Sequence, residues 1–154
     1  MNRFNFEKNL SHQTEAVENT ISVFKNLEIK KDKGVDKNYI NPYFNTNQDN
    51  IIDIMMETGT GKTYTYTKTI FELNKNFGIF KFVILVPTLS IKAGTINFLK
   101  SDSAKEHFKE LYGKTIKLHI VESGKSKKNR KQSFPSAINS FVNSGNYEKN
   151  SIQV

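Results

Sequence analysis

Met56-Glu57-Thr58-Gly59-Thr60-Gly61-Lys62-Thr63 decides how this chain is read. The apolar run Ile51-Ile52-Asp53-Ile54-Met55 precedes it, and a helix-like segment follows. A strand feeding a glycine-rich turn that ends in Gly-Lys-Thr is the layout of a phosphate-binding loop. Gly59 and Gly61 let the backbone curl so that successive N–H groups converge on phosphate oxygens. The following helix adds the positive end of its dipole. Lys62 has the reach for β- and γ-phosphates, and the Thr63 hydroxyl suits Mg²⁺. The strict pattern asks for glycine where Met56 stands, so the match rests on Thr58–Thr63 in its strand-and-helix context. A bland turn with a solvated lysine lacks that context. A dinucleotide fingerprint fits worse, because Tyr64 takes the place of its third glycine.

Outward from this turn, the chain reads as α/β. Residues 11–28 have an amphipathic pattern, with Val17, Ile21 and Phe24 at helical spacing and Ser11 as N-cap. Residues 30–50 are polar and predict a loop or insertion. Residues 50–56 predict the first strand. Residues 62–77 predict a helix with Tyr66, Ile70, Leu73 and Phe77 on one face, stopped by Gly78. Phe80–Val86 is nearly all apolar, as a strand buried on both faces requires, and Pro87 ends it. Residues 90–112 predict a helix in two pieces divided near Ser101-Asp102-Ser103. Ile116–Val121 predicts a third strand, and about Pro135 to Val142 a short helix. This alternation predicts a parallel, doubly wound sheet with the phosphate loop at a strand's carboxyl end. Ser151-Ile152-Gln153-Val154 predicts the first residues of a further strand, left at an unpaired edge.

Composition narrows the partners. The chain has 154 residues, a net charge of +8 and no cysteine. Disulfides and thiolate metal sites are excluded, and a reducing cytoplasm is the expected compartment. No apolar run approaches the ~20 residues that span a membrane, and Met1–Lys8 lacks the design of a secretory signal. The charge favours polyanions. Lys114, Lys117, Lys125, Lys127, Lys128, Arg130 and Lys131 lie close together in sequence. They read either as a phosphate-backbone contact surface or as a solvated basic loop. His12, His107 and His119 show no metal-ligand spacing and are read as structural or surface residues.

Thr58–Thr63, followed one strand later by Val86-Pro87-Thr88, resembles motifs I and Ia of superfamily 2 helicases and translocases. Longer stretches narrow the likeness: Ile54–Tyr64, Thr69–Lys75, Val86–Gly94 and Glu106–Tyr112 resemble the restriction (Res) subunit of Type III restriction-modification systems. The resemblance runs over nearly the whole chain and is weakest in residues 30–50. It implies a partial RecA-like P-loop NTPase lobe, a parallel sheet with flanking helices. Residues 1–48 would carry the N-terminal helix, an adenine-motif-like segment and the irregular loop. Residues 49–154 would be the N-terminal part of the first lobe.

The resemblance also implies the site. ATP and Mg²⁺ are the expected cofactors. Thr58, Gly59, Thr60, Gly61, Lys62 and Thr63 match the nucleotide cradle, with Lys62 catalytic and Thr63 on the metal. Gln13, after His12 and before Glu15-Ala16-Val17, matches an adenine-reading glutamine; its primary amide both donates and accepts. The alternative for Gln13 is an exposed polar residue in the first helical turn. Thr88, Ser90 and Lys92 match the motif Ia region, which touches the nucleic-acid backbone. Double-stranded DNA and a modification methyltransferase subunit are the implied partners.

Departures from the family pattern set further expectations. No strand-end acidic pair of motif II follows Thr63, and the later motifs, second lobe and nuclease domain of that family are absent. The chain is therefore expected to be an N-terminal piece, truncated before motif II, of an ATP-dependent Type III site-specific deoxyribonuclease. Alone it should hydrolyse ATP very slowly and cut nothing. Two other readings stay open: a different superfamily 2 helicase or P-loop ATPase, and a basic nucleic-acid-binding module with a vestigial loop. Glu57-Thr58, where AAA+ loops usually carry prolines, counts against that branch.

Overall fold

The computed structural model describes residues 6–7, 10–30, 36–45, 51–122, 135–146 and 150–154. In chain order the elements are helix α1 (Ser11–Lys25), strands β1 (Glu28–Lys30) and β2 (Tyr43–Asn45), and helices α2 (Lys62–Phe77), α3 (Leu89–Lys100) and α4 (Asp102–Tyr112). Strand β3 (Thr115–Lys117), helix α5 (Ser136–Asn143) and strand β4 (Ser151–Gln153) complete them.

Helix α2 is the hub. Its limits are as predicted: Gly61 at φ 82° opens it and Gly78 at φ 71° closes it, both in the left-handed region that suits glycine. The predicted apolar face understates its burial. Tyr64, Thr65, Thr67, Thr69, Ile70, Phe71, Leu73 and Asn74 are all buried, because α1 packs on one side of the helix and α4 on another. Buried threonines fit a helix interior when their hydroxyls bond back one turn. Thr67 does so to the Thr63 carbonyl at 2.7 Å, and Thr69 to that of Thr65 at 2.9 Å.

Two apolar clusters meet across α2. Tyr64, Ile70 and Phe71 join Ala104, Phe108 and Ile152 in one; Leu73 joins Val17, Ile21 and Ile79 in the other. Phe71 stacks on Phe108 at 4.9 Å between ring centroids and on Tyr112 at 5.0 Å. Burying a side chain of this size stabilises by about 1.5–3 kcal/mol. The break between α3 and α4 falls where predicted. Ser101 ends α3 and caps α4, accepting from the Ala104 N–H at 3.3 Å.

Several expectations are corrected. Helix α1 ends at Lys25, and its N-cap is Leu10 rather than Ser11, with no side-chain bond. The supposed loop after α1 holds an antiparallel pair, Ile29 opposite Phe44. Phe44 anchors β2 by meeting Phe24 at 5.4 Å and Phe77 at 5.9 Å, a nonlocal contact that polar neighbours conceal. Asn41 belongs to the fold as well: its side-chain oxygen accepts from the Phe80 and Lys81 N–H groups, both at 3.0 Å. It thereby satisfies the edge backbone of that segment.

The sheet departs further. Residues 51–57 run without a strand partner among the described residues, and Ile51 and Met55 are 74% and 100% exposed. Phe80–Val86 is not buried on both faces: Phe80 is buried, but Val83 and Leu85 are 72% and 90% exposed. Among the described residues, its one bridge is Lys81 with Gln153, parallel. The third strand is shorter than predicted and pairs in parallel with β4, Ile116 opposite Ile152. Strand β4 thus lies between residues 80–82 and β3, not at an edge, and Ile152 and Gln153 are fully buried. The parallel character holds; the order of the strands was not legible. No helix among the described residues is long and apolar enough to cross a membrane.

Candidate nucleotide-binding site

The glycine-rich turn leads straight into α2. Gly59 and Gly61 sit at φ 85° and 82°, so the chain reverses and Gly61 delivers Lys62 and Thr63 to the helix's first turn. Such a turn aims free N–H groups outward from a helix start. The Thr60 hydroxyl donates to the Glu57 carbonyl at 2.7 Å, closing the turn on itself. The Lys62 ammonium donates to the carbonyls of Met56 and Glu57 at 2.9 and 2.6 Å. It therefore lies across the mouth of the loop, held by neutral acceptors that an anion outcompetes.

Helix α1 reaches this loop from the other side. The Gln13 side-chain amide donates to the Thr60 carbonyl at 2.9 Å, and the His12 ring nitrogen Nε2 lies 3.0 Å from the same oxygen. Gln13 is 5% exposed, so it is not the solvated helix residue of the alternative reading. A Cβ on Gly61 would stand 2.4 Å from the Gln13 amide nitrogen. Gly61 is thus required for its φ and for the close approach of Gln13. Among the described residues, one amide N–H and the carbonyl oxygen of Gln13 are left for another partner. His12 is the residue that sequence reasoning missed here; its signal was only adjacency to Gln13.

Between α1 and residues 52–57 lies a cleft of about 660 Å³, lined among others by His12, Glu15, Asp53, Met56, Glu57 and Thr60. Asp53, which interrupts the apolar run, is exposed and faces this cleft rather than a core. Of the predicted nucleotide residues, Gln13, Thr60, Gly61 and Lys62 converge around the turn, with Thr58 exposed on it and Thr63 half-buried behind it. Among the described residues, no cluster of three or more histidine, aspartate or glutamate side chains has the geometry to hold a metal ion.

Thr88, Ser90 and Lys92 form a separate group on α3. Thr88 is its N-cap, accepting from the Ile91 N–H at 3.2 Å. Ser90 is exposed, and the Lys92 ammonium donates to the Val121 carbonyl. Among the described residues, none of the three is hydrogen-bonded to the glycine-rich turn. Of the basic cluster, Lys125, Lys127, Lys128, Arg130 and Lys131 lie outside the described residues. Lys114 donates to the Asn74 side chain at 2.7 Å and so has a structural task. His107 is buried against the Tyr64 hydroxyl at 2.9 Å, and His119 lies 2.9 Å from the Gln153 side-chain oxygen. Both make these contacts within the fold.

Comparison with known proteins gives a consistent answer. A family model described as Type III restriction enzyme, res subunit matches residues 7–153. The chain is similar to the Type III restriction-modification enzyme EcoPI Res subunit of Escherichia phage P1, at 46% identity over 98% of this chain and 18% of the relative. It is similar also to the EcoP15I Res subunit of Escherichia coli, at 44% identity with 98% and 18% covered. The StyLTI Res subunit of Salmonella typhimurium is 38% identical, with 94% and 15% covered. The chain thus spans less than a fifth of the length of these curated relatives.

Proposed function

The chain belongs to the Type III restriction enzyme res subunit family, and from that premise we propose that it is the ATP-binding N-terminal portion of an ATP-dependent restriction subunit. The single observation that carries the reading is the Lys62 ammonium at the mouth of a two-glycine turn that Gln13 clamps from α1. In this reading residues 1–48 bring the adenine-contacting helix, and residues 49–154 form the beginning of the first RecA-like lobe.

The residues present fit Mg-ATP. The Gly61 position admits no side chain, and the lysine is held by exchangeable carbonyls. Mg-ATP supplies a phosphoanhydride bond whose cleavage does work. The chain's own residues bind and orient it. Lys62 exchanges its two carbonyl acceptors for phosphate oxygens. The turn's N–H groups and the dipole of α2 balance the anion's charge. Thr63 offers its hydroxyl to the metal, and Gln13 turns its remaining amide group to the base. Thr88, Ser90 and Lys92 on α3 are assigned to the DNA backbone, where contacts hold register without reading sequence. Double-stranded DNA and the modification methyltransferase subunit are the partners of the longer protein, whose ATP-driven cleavage of DNA this portion serves. Hydrolysis by residues 1–154 alone is very slow in this reading.

A thermal melt with and without Mg-ATP, run beside Lys62→Ala, tests it. The wild-type midpoint rises with nucleotide while the variant's shifts little. Equal shifts in both would remove Lys62 from the site. DNA binding indifferent to ATP and to Lys62→Ala would favour a basic module with a vestigial loop.

A further inference from the structure

One side-chain bond joins the helix that starts at the glycine-rich turn to the helix that carries Thr88, Ser90 and Lys92. The Tyr66 hydroxyl of α2 donates to the Thr95 hydroxyl oxygen of α3 at 3.0 Å. Among the described residues it is the one hydrogen bond between α2 and α3. Tyr66 stands four residues after Lys62, and Thr95 three after Lys92, the spacings at which side chains share a helix face. Thr95 is also where α3 enters the fold. It is 8% exposed, whereas Thr88–Ile91, Ala93 and Gly94 before it are exposed. The far half of α3 has other anchors: Phe6 packs against Phe98 at 5.7 Å and Tyr64 at 5.6 Å, and Leu99 is buried. Among the described residues, the near half has two hydrogen bonds to the rest of the fold. One is Tyr66 to Thr95, and the other is the Lys92 ammonium to the Val121 carbonyl.

We infer that Tyr66 is a positioning residue that couples the nucleotide loop to the near end of α3, so that nucleotide binding releases Lys92 for a DNA phosphate; this rests on the proposed assignment of Mg-ATP to Lys62 and Thr63 and of DNA to α3. Lys62 is held by the Met56 and Glu57 carbonyls, and Lys92 by that of Val121. An anion in the loop draws Lys62 off its carbonyls and with it the first turn of α2. The Thr67 hydroxyl, bonded to the Thr63 carbonyl at 2.7 Å, makes that turn and the next move together. Tyr66 lies in this stretch, and its bond carries the movement to Thr95. The exposed half of α3 then swings about the anchor at Phe98 and Leu99. Its movement takes the Lys92 ammonium from Val121, and a charged phosphate is the stronger acceptor. Lys92 thus has two discrete arrangements, one on the carbonyl and one on DNA, and the nucleotide biases the choice. Without the Tyr66 hydroxyl the two ligands bind independently.

The test measures the affinity of the chain for a fluorescently labelled DNA duplex by anisotropy, with and without saturating Mg-ATP, at one fixed salt concentration. Mg-ATP should tighten DNA binding by the wild type about fivefold or more. Tyr66→Phe should bind each ligand alone as the wild type does, while the gain falls to within about twofold of none. Thr95→Val removes the acceptor and should behave like Tyr66→Phe; Thr95→Ser keeps it and should retain the gain. Because coupling is reciprocal, DNA should tighten Mg-ATP by the same factor in each protein. A role in packing alone would lower the melting midpoint of Tyr66→Phe and leave the gain intact, which overturns the inference. A wild type that binds both ligands with no gain overturns it as well. A wild type whose melt shows no Lys62-dependent shift with nucleotide removes the proposed site itself, an outcome that the melt alone tells apart from the other two. If Tyr66→Phe does not fold, Thr95→Val and Thr95→Ser decide by the same ratio.

Discussion

The Gln13 side-chain amide donates to the Thr60 carbonyl at 2.9 Å across 47 positions of sequence. This bond ties the first turn of α1 to the loop that opens α2, and it makes the nucleotide site a product of two helices packed together. The loop's shape therefore depends on α1 being docked.

Replacing Gln13 tests that dependence. Gln13→Ala leaves the carbonyl to His12 alone and should cost about 1–2 kcal/mol of stability in urea denaturation. Gln13→Glu sets a carboxylate against the carbonyl and should cost more. A Glu variant as stable as the wild type would mean that the amide is not a donor in solution.

Glycines 59, 61 and 94 separate backbone from packing effects. Gly59→Ala meets nothing within 4 Å but is held at φ 85°, so about 1–2 kcal/mol is lost. Gly61→Ala adds a clash with Gln13 at 2.4 Å and should lose more, together with the nucleotide-induced shift. Gly94 sits within α3 with open space around it, and Gly94→Ala should stabilise by about 0.5–1 kcal/mol. The three melting points should fall in the order 94, 59, 61; any other order contradicts this account.

Thr88 combines an observed structural task with a proposed one. Thr88→Ala removes the cap on Ile91 and should cost about 1 kcal/mol, whereas Thr88→Ser keeps it. Filter binding of DNA to both variants tests the proposed task. Loss of affinity in Thr88→Ala with full retention in Thr88→Ser fits a hydroxyl that serves either role, while unchanged affinity in both withdraws Thr88 from the DNA surface.

Alkaline pH should weaken the fold through Tyr112 and Tyr64. Burial comes first in holding both phenols above the ordinary tyrosine range; for Tyr112, the hydrogen bond and charge of Glu72 add to it. The Tyr112 hydroxyl donates to the Glu72 carboxylate at 2.8 Å. A raised folded-state pKa means that the folded form keeps its proton when the unfolded form loses it. Their stabilisation is complete below about pH 10 and declines as pH rises beyond it. Lys81, held low by burial, acts in the opposite sense, so the comparison is between wild type and Tyr112→Phe. The variant should lose less stability between pH 9 and 11 in denaturant titrations; parallel curves would refute the assignment.

How much of this was legible follows from the range of each interaction. The break at Ser101, the stop at Gly78 and the turn before Lys62 were legible because capping and left-handed glycines act within a few residues. Phe44 and Asn41 were not, since their partners Phe24, Phe77, Phe80 and Lys81 are distant in sequence. The run Phe80–Val86 was read as buried throughout, yet Val83 and Leu85 lie exposed. Apolar composition reports what a segment prefers to bury, not whether a partner is there to cover it.

The sequence by itself determined the glycine-rich turn, the helix it opens, the division of α3 from α4 and the family likeness, because these rest on local backbone chemistry and on residue identity. Only the tertiary structure decided that β4 lies between residues 80–82 and β3, that α2 is buried on more than one side, and that Gln13 and His12 meet at the Thr60 carbonyl. Strand order and helix docking are settled by hydrogen bonds and contacts between residues far apart in the chain, and period-two or period-3.6 patterns carry no record of which partner those will be.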